Sequence, residues 1–195
     1  CVLVGGELIY SPAGVAVIDG VATFQSITAR WSAALVADVT VEEERRIVES
    51  LAVRMDEVAR ALRTSGGMVD RRVIGELLAE SERRVAGLSA EAQCGADWTT
   101  PLAESTLNLL AAALEQVDAV SALDLQFLIE TAIRAGGLPS PDGSFETSIA
   151  AALNTKLEAA SAANDRIASD AVFMSAVAIG DRDLATRAVA AGGGR

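Results

Sequence analysis

Residues Thr40–Leu62, TVEEERRIVESLAVRMDEVARAL, set the reading of the whole chain. Thr40-Val41-Glu42-Glu43 has the form of a capping box, in which Glu43, three residues after the cap, satisfies first-turn amides. Val41, Val48, Leu51, Met55, Val58 and Leu62 then follow the 3-4 spacing of a heptad, and only Glu44 breaks the seam. Glu42 with Arg46 and Asp56 with Arg60 are i,i+4 pairs worth ~0.2–0.5 kcal/mol each. Ser65-Gly66-Gly67 supplies the left-handed residue that ends a helix.

Downstream the same logic repeats. A second helix is predicted from about Val69 to Leu88, with Ile74, Leu77, Leu78, Val85 and Leu88 on one side. Its short link to the first makes an antiparallel hairpin. Ser89–Thr99 reads as a polar loop holding Cys94 and Trp98. Thr100-Pro101 restarts a helix, striped by Ala103, Leu107, Leu110, Leu114 and Val117. Ser121-Ala122-Leu123-Asp124 reads as an internal cap that splits the run to Ala135, which Gly136-Gly137 closes. Pro139–Ser144 is a turn containing Pro141-Asp142-Gly143. Ser144 then caps a segment free of Gly and Pro up to Gly180, long enough at ~1.5 Å per residue to span roughly 50 Å. Its apolar positions, Ile149, Leu153, Leu157, Ala160, Ile167, Ala171 and Met174, keep helical spacing interrupted by Asn164. A short helix over Asp183–Ala190 and a Gly-Gly-Gly-Arg tail follow. No sequence repeat stands out.

Upstream of Thr40 the pattern differs. Val2–Val4, Glu7–Tyr10, Val15–Ile18 and Val21–Phe24 are short β-branched or apolar runs separated by glycine-containing turns. Asp19-Gly20 between two such runs is a hairpin signal. From Ile27 to Leu35 the odd positions Ile27, Ala29, Trp31, Ala33 and Leu35 are apolar, which suits a strand; a helix over 27–36 also fits. Val17–Phe24 is similar to strand pairs of bacterial Ig-like modules, over a length that carries no family assignment. The expected fold is therefore mainly α: an antiparallel helical bundle of long amphipathic helices over 40–191, a small β-rich segment over 1–39 that leaves an α+β arrangement open, and a flexible tail over 192–195.

Composition narrows the chemistry. The chain has 195 residues, 51% apolar and 22% charged, with a net charge of −11, 38 Ala, 15 Arg, one Lys and no His. Without His there is no Ser-His-Asp or Cys-His nucleophile system and no His-ligated metal. The acidity argues against a phosphate backbone as partner, which requires a basic face. No uninterrupted apolar stretch reaches the ~18 residues of a membrane span. The apolar excess is largely Ala, concentrated after Thr100. It favours closely approaching helices, with apolar surface left over for other subunits.

Individual candidates are few. Cys1 could act as an N-terminal nucleophile whose own α-amine serves as base, or as a lipid-modified Cys; the ordinary reading is simply a cysteine where the chain begins. Cys1 and Cys94 could also form a bridge. Lys156, the sole lysine, has the chemistry for a Schiff base, although a polar helix surface is the more common setting for such a residue. Glu42-Glu43-Glu44 and Asp181 with Asp183 are better read as helix N-terminal acids than as cation ligands. The glycine pairs 5/6, 66/67 and 136/137 match no nucleotide-binding pattern, and no cofactor or metal is expected.

These features lead to a non-catalytic structural subunit that self-assembles, as in a virion, an appendage or a ring. The alternatives are an N-terminal-nucleophile hydrolase using Cys1 and a helical envelope lipoprotein acylated there. Candidate packing and oligomer residues are Val48, Leu51, Met55, Val58, Leu62, Leu107, Leu110, Leu114, Ile149, Leu153, Leu157, Ile167 and Met174. The expected setting is soluble or within an extracellular or virion assembly, with copies of the chain as partners.

Overall fold

The computed structural model describes residues 20–87, 100–139 and 143–192, with side chains from residue 41 onward. Among these residues the chain is mostly helical and contains no strand. Seven helices are described: α1 (Gly20–Thr64), α2 (Arg71–Ala86), α3 (Thr100–Glu115), α4 (Ala122–Arg134), α5 (Ser144–Ala163), α6 (Arg166–Ile179) and α7 (Arg182–Ala191). They pack in a bundle-like arrangement around one apolar cluster.

The N-terminal reading needs correction wherever the backbone is described. Val21–Phe24, read as a strand, lies inside α1, which runs unbroken to Thr64, and Ile27–Leu35, where strand and helix both fitted, is helix as well. Thr40-Val41-Glu42-Glu43 is therefore helix interior, not a helix start. The physical reason is visible in the spacing: Ile27, Trp31 and Leu35 recur every four residues, a helical period as well as an alternating one. The expected strands over 2–4, 7–10 and 15–18 fall outside the described residues, as do Cys1, Cys94, Trp98 and the final three residues of the tail.

The heptad stripe of α1 behaves as its spacing implies. Val48, Leu51, Met55 and Leu62 are buried, with Val58 packed against the core at partial exposure. Ala52 and Ala59 widen the buried face. Its most extensive partner is α3, which buries Leu102, Leu109, Leu110, Ala112 and Ala113.

Side-chain pairs fix how the helices run. Asn108 Nδ2 donates to Asp56 Oδ1 at 3.1 Å and Arg63 Nε to Glu115 Oε2 at 2.8 Å, both across 52 positions. Arg71 meets Asp124 at 2.6 Å across 53 positions, and Arg134 meets Glu82 at 2.8 Å across 52. A constant offset at both ends of a contact means that α1 runs parallel to α3 and α2 parallel to α4. The hairpin α1–α2 is thus repeated as α3–α4 and laid beside itself.

The repeat extends to burial. Counted from the caps Asp70, Ser121 and Asp165, the fourth residue on (Ile74, Leu125, Ser169), the seventh (Leu77, Leu128, Val172) and the eleventh (Ser81, Ala132, Ala176) are all buried. From the cap Asp181 of α7, Ala185 and Ala188 occupy the fourth and seventh places and are buried too. The sequence hides this repeat because shape is kept while residue type is not. Ile, Leu and Ser share the first of these positions.

The turns between helices are built alike. Asp70, Ser121, Asp165 and Asp181 each accept a hydrogen bond from the backbone N–H three residues on, the ordinary N-cap geometry. The segment 144–180 is two helices, not one. Asn164 takes φ 51°, the N–H of Asp165 reaches the carbonyl of Ala160 at 2.8 Å, and the chain turns back. Gly180 and Asp181 repeat this geometry before α7, with Asp181 N–H on Ala176 O at 2.9 Å. Both turns close in the Schellman manner, and Asn is the non-glycine residue that best tolerates the left-handed position. The cap of α5 is Gly143, with Ser144 the first helical residue.

One glycine has a double role. Gly67, at φ +87°, sits where an added Cβ would lie 2.7 Å from the Ala119 side chain and 3.0 Å from the backbone of Ala119 and Val120. The first hairpin turn therefore rests directly on the second. Gly66 has similar φ (+70°) but open space around it. Gly67→Ala is expected to lower stability by at least about 2 kcal/mol, combining left-handed strain with a backbone clash. Gly66→Ala carries the strain alone and is expected to cost about 1 kcal/mol. Urea unfolding of the two variants followed by circular dichroism separates these contributions.

Candidate functional site

The candidate packing residues divide into three groups. Val48, Leu51, Met55, Leu62, Leu110, Ile149, Leu153 and Leu157 are buried within this one chain. Val58, Leu107 and Leu114 are partly buried against the same core. Ile167 and Met174 stand apart at 65% and 50% exposure on α6. Val177, one helical turn beyond Met174, is 55% exposed, so α6 carries a stripe of large apolar side chains facing water.

Helix α4 continues this surface. Leu123 and Ile133 are exposed at 41% and 36%. Leu123 lines a groove of about 330 Å³ with Ile167, and Ile133 lines a second of about 300 Å³ with Val177. Each pair is separated by 44 positions, so α4 and α6 also run parallel. Leu123 and Ile133 lie ten residues apart, as do Ile167 and Val177, roughly 15 Å along each axis. The result is a two-helix apolar face with a shallow groove at either end. Leu123, Ile133 and Val177 were not singled out from the sequence. The available signal was the composition of α6, which between Asp170 and Gly180 has no charged residue.

A larger groove of about 610 Å³ lies between the end of α3 and α5, lined by Leu114, Val117, Phe145 and small residues, with Glu115 at its edge. Glu115 is engaged by Arg63. Lys156, on α5, borders the 330 Å³ groove and its Nζ approaches the carbonyl oxygen of Asp118 at 3.5 Å. Burial pushes the Lys156 amine below the usual lysine range, partly offset by the Asp118 charge.

Elsewhere the polar groups serve the fold. Ser121 Oγ donates to Asp124 Oδ2 at 2.6 Å while Arg71 holds Oδ1 and stacks 5.8 Å from the Phe127 ring centre. The buried hydroxyls of Thr106, Thr131, Ser169 and Ser175 donate to carbonyls three or four residues back in their own helices. Glu42-Glu43-Glu44 lies inside α1 and does not start a helix; Glu42 pairs with Arg46 at 3.5 Å and Glu44 with Arg84 at 3.3 Å. Asp181 caps Leu184. Among the described residues no group of three acidic or cysteine side chains is placed to hold a metal ion, and no helix is long and apolar enough to cross a membrane. Comparison of the chain with protein-family models, with curated protein sequences and with solved structures gave no match in any of the three.

Arg84 links two helices, bonding Glu80 of its own helix at 2.7 Å and reaching Glu44 of α1. Its hydrogen bond holds the Glu80 carboxyl below the usual carboxylate range. A depressed folded-state pKa gives stability that is present above the unfolded value of ~4.3 and lost as pH falls through the folded value. Glu80→Gln is therefore expected to flatten the decline of stability below pH ~5. Denaturant titrations of both proteins at neutral and acid pH check this, and equal acid sensitivity would contradict the assignment.

Proposed function

We propose that the chain is a non-catalytic structural subunit that assembles with copies of itself through the α4–α6 face, as a component of a virion, appendage or ring. The observation that carries this reading is the exposed stripe of Ile167, Met174 and Val177 beside Leu123 and Ile133. Apolar area in water costs about 25 cal/mol per Å², so a contiguous face of large side chains favours burial against a matching surface. A second copy provides that match without a new sequence, since an isologous contact lays the same patch on itself. The composition agrees: a chain without His and with a single Lys has little catalytic repertoire.

The substitutions Met174→Asp and Val177→Asp place charge on two exposed positions whose change leaves the core intact. Sedimentation velocity over a micromolar concentration series is expected to show association of the unaltered chain. The doubly substituted chain is expected to remain monomeric with unchanged helical circular dichroism. A unaltered chain that stays monomeric throughout, or a variant that associates equally well, overturns the proposal.

A further inference from the structure

We propose that Lys156 is an amine site for aliphatic aldehydes, which it holds as an imine in the groove between α4, α5 and α6. The walls of this groove are Leu123 from α4, Ala159, Ala160 and Ala163 from α5, and Ile167 with Ala168 from α6. Such a lining favours an alkyl chain over a hydroxylated one. The two polar side chains at its margin are already engaged: Ser121 with Asp124, and Asp165 with the backbone N–H of Ala168. Lys156 Nζ, borne on the same helix as three of the alanines, is the nucleophile at this wall, and among the described residues it meets the carbonyl of Asp118 at the limit of hydrogen-bond distance.

Imine formation needs the neutral amine, and the desolvation of Lys156 favours that form. Asp118, from the α3–α4 turn, and Asp165, at the start of α6, are the acidic groups on this side. The ammonium first releases its extra proton to water. The Nζ lone pair then attacks the carbonyl carbon and the C–N bond forms. The carbonyl oxygen leaves as water, taking the two remaining nitrogen protons in net balance and giving C=N. No oxidant or reductant is consumed.

Because Lys156 is the only lysine, the test is unambiguous. The full chain, diluted below its association range so that the α4–α6 face is open, is incubated with hexanal and cyanoborohydride at neutral pH, in parallel with glyceraldehyde as a polar aldehyde. Alkylation is followed by peptide mass mapping, which separates Lys156 from the chain's α-amine. Each rate is normalised to that of Nα-acetyl-lysine amide with the same aldehyde. Lys156 is expected to react with hexanal at least about fivefold faster than the free amine. The normalised rate should be clearly higher for hexanal than for glyceraldehyde, and Leu123→Ser should remove that preference. Equal normalised rates for the two aldehydes, or a hexanal rate matching the free amine, overturn the proposal. Should Leu123→Ser lose its helical signal, the two-aldehyde comparison on the unaltered chain decides alone.

Discussion

Everything in the arrangement of the first four helices depends on how closely one hairpin turn approaches the next. Gly67 lies so near Ala119 and Val120 that no side chain fits between them. That contact fixes the height of α1 relative to α3, and the offset of 52 positions seen at Asp56–Asn108 and Arg63–Glu115 follows from it. The ion pairs cannot be its cause. Exposed pairs contribute about 0–1 kcal/mol each, too little to hold register against a mismatched core. They report the register that the turns and the buried stripes impose.

The alanine content takes on a specific meaning in this setting. Ala52 and Ala59 on α1 and Ala112 and Ala113 on α3 are all nearly inaccessible, and these two helices share the largest contact among the described helices. Small side chains let parallel helices approach closely, at the cost of less apolar area per residue. Leu51, Met55, Leu109 and Leu110 supply the remaining bulk. Further along, Ala160, Ala171, Ala176, Ala185 and Ala188 are buried among α5, α6 and α7. The contact there is also close, while fewer large residues lie inside. Ile167, Met174 and Val177 of α6 are left outside.

Much of the helical layout was legible in the sequence, and the misreadings have physical causes. The stripe Val48 to Leu62, the stop at Gly66-Gly67, the restart at Thr100-Pro101 and the cap at Ser121 all stand where their spacing puts them. Each is a local signal, carried by residues that touch one another. The strand reading of Val21–Phe24 failed, and Ile27–Leu35 stayed open between strand and helix, because β-branched and aromatic residues at short spacing satisfy both periods. The break at Asn164 was visible only as an interruption, since Asn enters the left-handed region far less regularly than Gly. The repeat was invisible because burial at a position such as Ile74, Leu125 or Ser169 constrains volume and neighbours together, and neighbours changed with it. For the same reason Ile167 and Met174 could be placed on a helical stripe while the sequence had no means of saying whether that stripe faced core or water.

The division of labour between interior and surface then follows from hydrogen-bond accounting. A serine or threonine inside a helix bundle must bond something, and here Thr106, Thr131, Ser169 and Ser175 return their protons to their own helices. At 1–3% exposure these hydroxyls are also out of reach of the solvent. The caps are occupied likewise, with Asp70, Asp165 and Asp181 each bound to a first-turn amide. The polar chemistry of these residues is therefore spent on folding. On the described surface lie the exposed apolar side chains of α4 and α6 and, at the edge of this face, the partly buried amine of Lys156. Where α6 packs inward largely through Ala171, Val172 and Ala176, its large residues Ile167, Met174 and Val177 are left exposed.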